Sequence, residues 1–242
     1  MNTIIQVKKL ISYFGDREIL KKVSVDFHSN EITFIAGTSG CGKTTLLKHI
    51  IGLYQPTSGS IEIFGENIVD MEESRFNDVL RKIGVLFQNG ALFNSITIKE
   101  NVSIPLEQHS DLPRSLIDRI VRDKLNLVGL GHALNLYPSQ LSGGMRKRAA
   151  LARAIALDPE ILFADEPGAG LDPITAASID NLLLKLRDLL DMTLVIISHE
   201  ISSIRRIADR IIFMDKGMVR YDGHISKINS EADDTIKSFF QS

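Results

Sequence analysis

Ile32-Thr33-Phe34-Ile35-Ala36-Gly37-Thr38-Ser39-Gly40-Cys41-Gly42-Lys43-Thr44-Thr45-Leu46-Leu47 runs from an apolar stretch through a glycine-rich turn into a helical pattern. The run 32–36 is continuously apolar apart from Thr33, as a strand covered on both faces requires. Leu46, Leu47, Ile50 and Ile51 then recur at helical spacing and predict a helix over 44–53. Between them, residues 37–44 match G-x-x-x-x-G-K-[ST] in the strand-turn-helix setting that gives the motif its meaning. Glycines let backbone N–H groups turn toward an anion without side-chain clashes. The helix start adds its positive dipole end. Gly37, Thr38, Ser39, Gly40, Cys41, Gly42, Lys43, Thr44 and Thr45 are therefore the expected phosphate-binding set. Lys43 serves the β- and γ-phosphates, and the Thr44 hydroxyl suits Mg²⁺. Cys41 is expected to be a small residue fitted into the loop rather than a reactive thiol.

Outward from this loop, strands and helices alternate, which predicts an α/β fold with a mostly parallel sheet. The runs 83–87, 161–164, 194–197 and 211–214 are apolar and predict further central strands. Residues 23–27 and 60–64 alternate apolar and polar, predicting half-buried antiparallel strands. From about 91 to 159 β-branched runs are scarce and helices joined by polar loops are expected. Residues 1–242 thus read as one domain. Its core spans about 1–90 and 160–242, with an antiparallel β subdomain, and a helical subdomain is inserted at about 91–159. The tail from 225 to 242 predicts a short surface helix.

The composition bounds the function. With 44% hydrophobic and 24% charged residues, the chain is neither disordered nor fibrous. The 28 Lys and Arg against 30 Asp and Glu give a net charge of −2, without the positive excess of a nucleic-acid-binding domain. The single cysteine, Cys41, excludes an internal disulfide framework. No apolar run approaches the roughly 18 residues of a membrane span. Residues 1–9 show no signal-peptide core. The expectation is a cytoplasmic chain that reaches a membrane only through a partner.

Two further strand ends carry chemistry. The run 161–164 ends in Asp165-Glu166. In P-loop ATPases the first such carboxylate holds Mg²⁺ and the second accepts a proton from the attacking water. The run 194–197 ends in Ser198-His199, and an imidazole at that sheet edge is placed to bond the γ-phosphate or the water. Leu141-Ser142-Gly143-Gly144-Met145 opens another helical run and forms a second anion-binding helix start. One triphosphate cannot readily use both loops of one chain. A dimer in which each chain completes the other's site is therefore expected.

With these motifs the chain resembles the ATP-binding cassette family over essentially its whole length: a P-loop NTPase of RecA-like core. The phosphate loop, Gln88, the LSGG motif, the 162–166 strand end, the loop Gly168-Ala169-Gly170-Leu171-Asp172 and His199 come in the family's order. The resemblance implies ATP hydrolysis with Mg²⁺, catalytic roles for Glu166, His199 and Gln88, and metal contacts from Thr44, Gln88 and Asp165. It implies that Ser142, Gly143 and Gly144 bind the γ-phosphate of ATP held by the opposite chain, and that Asp172 lies in a loop crossing the dimer interface. An aromatic residue stacks on adenine in this family. Phe14, directly before Gly15, has the better position, with its neighbour Tyr13 as the alternative. Two departures stand out: Met145 where glutamine is usual, and Ala169 where serine is usual.

Narrower stretches resemble the ATPases of Mce-type lipid transport, including the Mla phospholipid system. They are Phe87-Gln88-Asn89-Gly90-Ala91-Leu92-Phe93, the LSGGM motif with its following helix, and Glu166-Pro167 leading to Gly170-Leu171-Asp172-Pro173-Ile174. Met145 is expected in that subgroup. The resemblance implies two copies under an MlaE-like integral permease, with a Mce-domain lipid-binding protein and a STAS-domain protein in the complex. It places the chain peripherally on the cytoplasmic face of the bacterial inner membrane. The phospholipid is handled by the complex rather than by this chain, whose ATP hydrolysis powers translocation and outer-membrane lipid asymmetry. Another importer or a lipoprotein-release ATPase is the alternative. A non-transport cassette ATPase is less favoured, since it would carry a coiled coil, zinc cysteines or a second cassette. A GTPase would need N-K-x-D, which Asp215-Lys216-Gly217 is not.

Overall fold

The computed structural model of the protein describes residues 2–241; residue 242, where the expected tail ends, lies outside them. In chain order the elements begin with β1 (Thr3–Phe14), β2 (Arg17–His28), β3 (Ile32–Gly37), α1 (Lys43–Ile50), β4 (Ser58–Ile63), β5 (Glu66–Asn67) and α2 (Glu73–Arg81). They continue with β6 (Ile83–Leu86), α3 (Ile98–His109), α4 (Arg114–Leu127), α5 (Gly143–Ala154), β7 (Ile161–Asp165) and α6 (Pro173–Leu190). The chain closes with β8 (Thr193–Ile197), α7 (Ile201–Ile207), β9 (Arg210–Asp215), β10 (Met218–His224), α8 (Ile228–Glu231) and α9 (Asp234–Gln241). The chain divides into two compact units, 1–80 with 193–242, and 81–192.

The first unit carries two sheets. One is antiparallel, in the order β2-β1-β4-β5. In the other, β3 pairs in parallel with β8 and β9, and β10 closes the edge antiparallel to β9. Every residue of β3 and β8 is buried, as their continuous apolar runs require. Strands β1 and β2 are each 12 residues long, although only 23–27 alternates clearly in the sequence. The reason is a pair of irregularities. Lys9 (φ 48°) and Lys22 (φ 55°) break the two-residue period, so Val7 and Leu10, and likewise Leu20 and Val23, turn inward three residues apart.

In the second unit β6 and β7 pair in parallel with Leu86 opposite Ala164. Helices α3, α4 and α5 pack on one another, and their Val102, Leu106, Val121, Leu125 and Leu151 side chains are buried. Helix α3 starts with a capping box: Glu100 N–H donates to Thr97 Oγ1, and Thr97 N–H donates to the Glu100 carboxylate. Asp172 caps α6, with Pro173 at its first position. The α/β class, the mostly parallel core sheet and the separate antiparallel sheet are those the sequence predicts. Among the described residues no helix is long and apolar enough to cross a membrane.

Candidate functional site

In the first unit the chain leaves the buried end of β3 and turns sharply at Gly37 (φ 141°), Gly40 (φ 73°) and Gly42 (φ 107°) before α1 begins. Glycine is obligatory at Gly37, where a Cβ would sit 2.0 Å from the Met214 carbonyl oxygen. At Gly42 a Cβ would meet the Leu20 side chain at 2.8 Å. The loop is braced from behind, since Gly217 N–H donates to Cys41 O and Lys21 N–H to Gly217 O. Thr38 Oγ1 donates to Asp215 Oδ1 at the end of β9. Lys43 is buried and turns back into the loop, its ammonium donating to Gly37 O at 2.8 Å and to Thr38 O at 3.0 Å. The Cys41 thiol is buried; burial pushes its pKa up, while the Lys43 ammonium pulls it back less strongly. Its Sγ lies 3.9 Å from the Lys43 ammonium.

A cleft of about 240 Å³ opens over this loop, lined by Phe14, Arg17, Gly40, Lys43, Thr44 and Thr45 among others. Phe14 and Tyr13 are both about half exposed at the β1–β2 turn, but of the two only Phe14 lines the cleft. Its ring forms a T-shaped pair with that of Tyr54, centroids 5.3 Å apart. Tyr54 is held in turn by Lys48 and by His49, a pair that the sequence reading did not single out. His49 is buried and bonds Tyr54 O through Nδ1 and Ser12 Oγ through Nε2. Burial pushes its pKa below the usual histidine value, against the smaller upward pull of the Tyr54 carbonyl. His199 is exposed, two residues past β8, where Ile197 lies opposite Ile35 of β3. The phosphate loop, His199 and Asp215 thus leave one sheet edge, at the ends of three adjacent parallel strands.

The second unit assembles the remaining motifs. Gln88 lies two residues past β6; Asp165 ends the neighbouring β7 and Glu166 follows it directly. Asp165 is buried, and Glu166 takes the left-handed conformation (φ 50°), an unusual one for a non-glycine residue. Ser142 is the N-cap of α5; its Oγ accepts from Met145 N–H, and Ser142 and Gly143 are exposed. Gly144 is buried instead, with room for a Cβ blocked by the Thr175 methyl at 2.6 Å. Asp172 Oδ1 accepts from the N–H groups of Ile174 and Thr175, and Thr175 Oγ1 donates to Oδ2. The Thr175 hydroxyl first, with these backbone bonds, holds the Asp172 carboxyl below the ordinary range. A cleft of about 350 Å³ is lined by Gln88, Gly143, Lys147, Ala169 and Leu171 among others.

Helix α5 also supplies residues that the motif reading passed over. Lys147 donates to the carbonyls of Gln88 and Glu166. Arg153 donates to those of Gly90 and Ala91. Basic residues on a helix read as a solvated face in sequence, and only the fold turns these two inward. Among the described residues no group of three or more His, Cys, Asp or Glu comes together around a metal. The oxygen donors at the motif positions are the Thr44 hydroxyl in the first unit and, in the second, the Gln88 amide and the Asp165 carboxylate, each of the kind Mg²⁺ takes.

A glycine cradle at a helix start, with an inward lysine and a strand on its N-terminal side, is the hallmark of P-loop nucleotide-binding proteins. The profile of the ABC transporter family matches residues 20–169. The Haemophilus influenzae intermembrane phospholipid transport system ATP-binding protein MlaF is 40% identical over 238 residues, 98% of this chain and 90% of that protein. A probable ribonucleotide transport ATP-binding protein, mkl, of Mycobacterium leprae is 40% identical over 211 residues, 87% of this chain; the chain spans 61% of that relative's length. An ATP-binding cassette solved as a dimer in a post-hydrolysis state with ADP and phosphate superposes with a TM-score of 0.83 at 31% identity, covering 91% of this chain and 98% of that one. The chain belongs to the ATP-binding cassette transporter family, whose ATPases bind ATP.

Proposed function

We propose that this chain is the ATP-hydrolysing subunit of a phospholipid transporter of the Mla/Mce type. The observation that carries the ATPase reading is the phosphate loop itself: a cradle open only to glycine at Gly37, with the Lys43 ammonium drawn inside it. The likeness to the phospholipid-transport relative over nearly the whole chain supports the lipid reading.

In the proposed reaction, Lys43 and the loop N–H groups bind the β- and γ-phosphates. Phe14 stacks on adenine, with Tyr54 bracing its ring in a T-shaped pair. Glu166 accepts the proton of the attacking water, and His199 orients that water or the γ-phosphate. Thr44, Gln88 and Asp165 would hold Mg²⁺, which when bound would neutralise charge on the phosphates. Ser142, Gly143 and Gly144 serve the γ-phosphate in the partner copy of a homodimer, and Asp172 lies in the loop that meets that copy. The dimeric relative with ADP and phosphate supports this arrangement. We place the dimer on the cytoplasmic face of the inner membrane, beneath an MlaE-like permease with Mce-domain and STAS-domain partners. Phe93, 55% exposed on the loop after Gln88, is the proposed contact with the permease.

The test is the full chain reconstituted with its permease in vesicles carrying a fluorescent phospholipid. ATP is expected to drive lipid transfer, and Glu166→Gln to bind ATP without turnover. Hydrolysis by Glu166→Gln at the wild-type rate would overturn the assignment of the base. ATP turnover without lipid transfer would overturn the choice of substrate.

A further inference from the structure

We infer that Lys147 is a positioning residue that fastens the Gln88 loop and the Glu166 turn to the helix bearing the LSGG motif. The inference rests on the proposed roles of Gln88 and Glu166. Lys147 lies on α5, five residues past the Ser142 cap, and is 7% exposed. Its ammonium donates to Gln88 O at 2.5 Å and to Glu166 O at 2.8 Å. Those carbonyls belong to chain segments that leave adjacent parallel strands, β6 and β7, whose ends are in register at Leu86 and Ala164. One compact cation therefore spans both segments. A buried ammonium is strongly disfavoured unless hydrogen-bonded, so its presence here signals a specific demand.

The demand is visible in the backbone it holds. Glu166 sits at φ 50°, a conformation that persists in a non-glycine residue only where its surroundings enforce it. The carbonyl of that same residue is the one Lys147 engages. The Gln88 loop is fastened to α5 a second time, where the Arg153 guanidinium donates to Gly90 O at 2.9 Å and Ala91 O at 2.8 Å. A lysine satisfies two diverging carbonyls because its three donors rotate on a flexible stem.

The experiment compares Lys147→Met, which keeps the length and removes every donor, with Lys147→Arg, which keeps donors. The full-length chain is assayed for kcat and KM, and for equilibrium ATP affinity in the Glu166→Gln background. Lys147→Met is expected to lower kcat by about 10- to 100-fold, the scale of an ångström-level misplacement of reacting groups. ATP affinity is expected to stay within about twofold, since the phosphate loop is untouched, and Lys147→Arg to restore most of kcat. Wild-type kcat in Lys147→Met, or a loss of ATP affinity in step with kcat, overturns the inference. Should Lys147→Met not fold, Lys147→Leu, which also removes every donor, is read by the same criteria. A wild-type chain that does not hydrolyse ATP overturns the proposed function instead, and this inference with it.

Discussion

Asn101 grips Phe93 from both sides of its backbone: Asn101 Oδ1 accepts from Phe93 N–H at 2.8 Å, and its Nδ2 donates to Phe93 O at 3.1 Å. Asn101 is fully buried on α3, while the Phe93 ring is 55% exposed. A core amide thus presents an aromatic ring to the surface. The ring and its support should separate by mutation. Phe93→Asp is expected to fold and bind ATP normally but fail to co-purify with the permease. Asn101→Leu leaves the Phe93 backbone groups unpaired and should lower the stability by about 1–3 kcal/mol, read from urea unfolding. An unfolded Phe93→Asp would make the ring structural.

The nucleotide base should distinguish two neighbouring aromatics. Phe14→Ala is expected to weaken ATP binding by about 1–3 kcal/mol, the scale of losing one base–aromatic stack. Tyr13→Ala should change it little, because Tyr13 does not line the cleft that Phe14 shares with Lys43 and Thr44. Titration of each variant with a fluorescent ATP analogue decides between them, and a larger loss in Tyr13→Ala would exchange the assignments.

Complementation between chains tests the dimer. Gly144 is a poor place to probe it, because any side chain there collides with Thr175 of its own chain. Ser142→Asp keeps an N-cap oxygen and adds a negative charge where the partner's γ-phosphate is proposed to sit. With Lys43→Ala on one chain and Ser142→Asp on the other, both lesions fall in one composite site and the second stays whole. With both on one chain, each site carries a lesion. The first pairing should retain about half the wild-type ATPase and the second almost none; equal rates would refute exchange of the motif between chains.

Acid should loosen the support of Phe14. Burial holds the His49 pKa below its ordinary value, so as pH falls through about 6.5 the unfolded chain takes up the proton first. The stability is therefore complete above that value and declines as pH falls toward the depressed folded pKa. Between about pH 7.5 and 5.5 the urea midpoint of the wild type should fall more than that of His49→Gln, which cannot charge. Parallel declines would show that His49 does not contribute.

Local patterns carried much of this protein. The apolar run ahead of Gly37, the spacing from Gly37 to Lys43, and Asp172 before Pro173 each state a short-range physical requirement, and the structure meets each with a buried strand, a glycine turn and a capped helix. Strands β1 and β2 were legible only in part, because Lys9 and Lys22 interrupt the alternation on which strand reading depends. What tertiary structure alone decided is which polar side chains turn inward. Lys147 and Arg153 are ordinary helix cations in sequence, Asn101 and His49 ordinary polar residues. Each acquires its role from carbonyls distant along the chain or across a turn, and no local periodicity encodes where those carbonyls point.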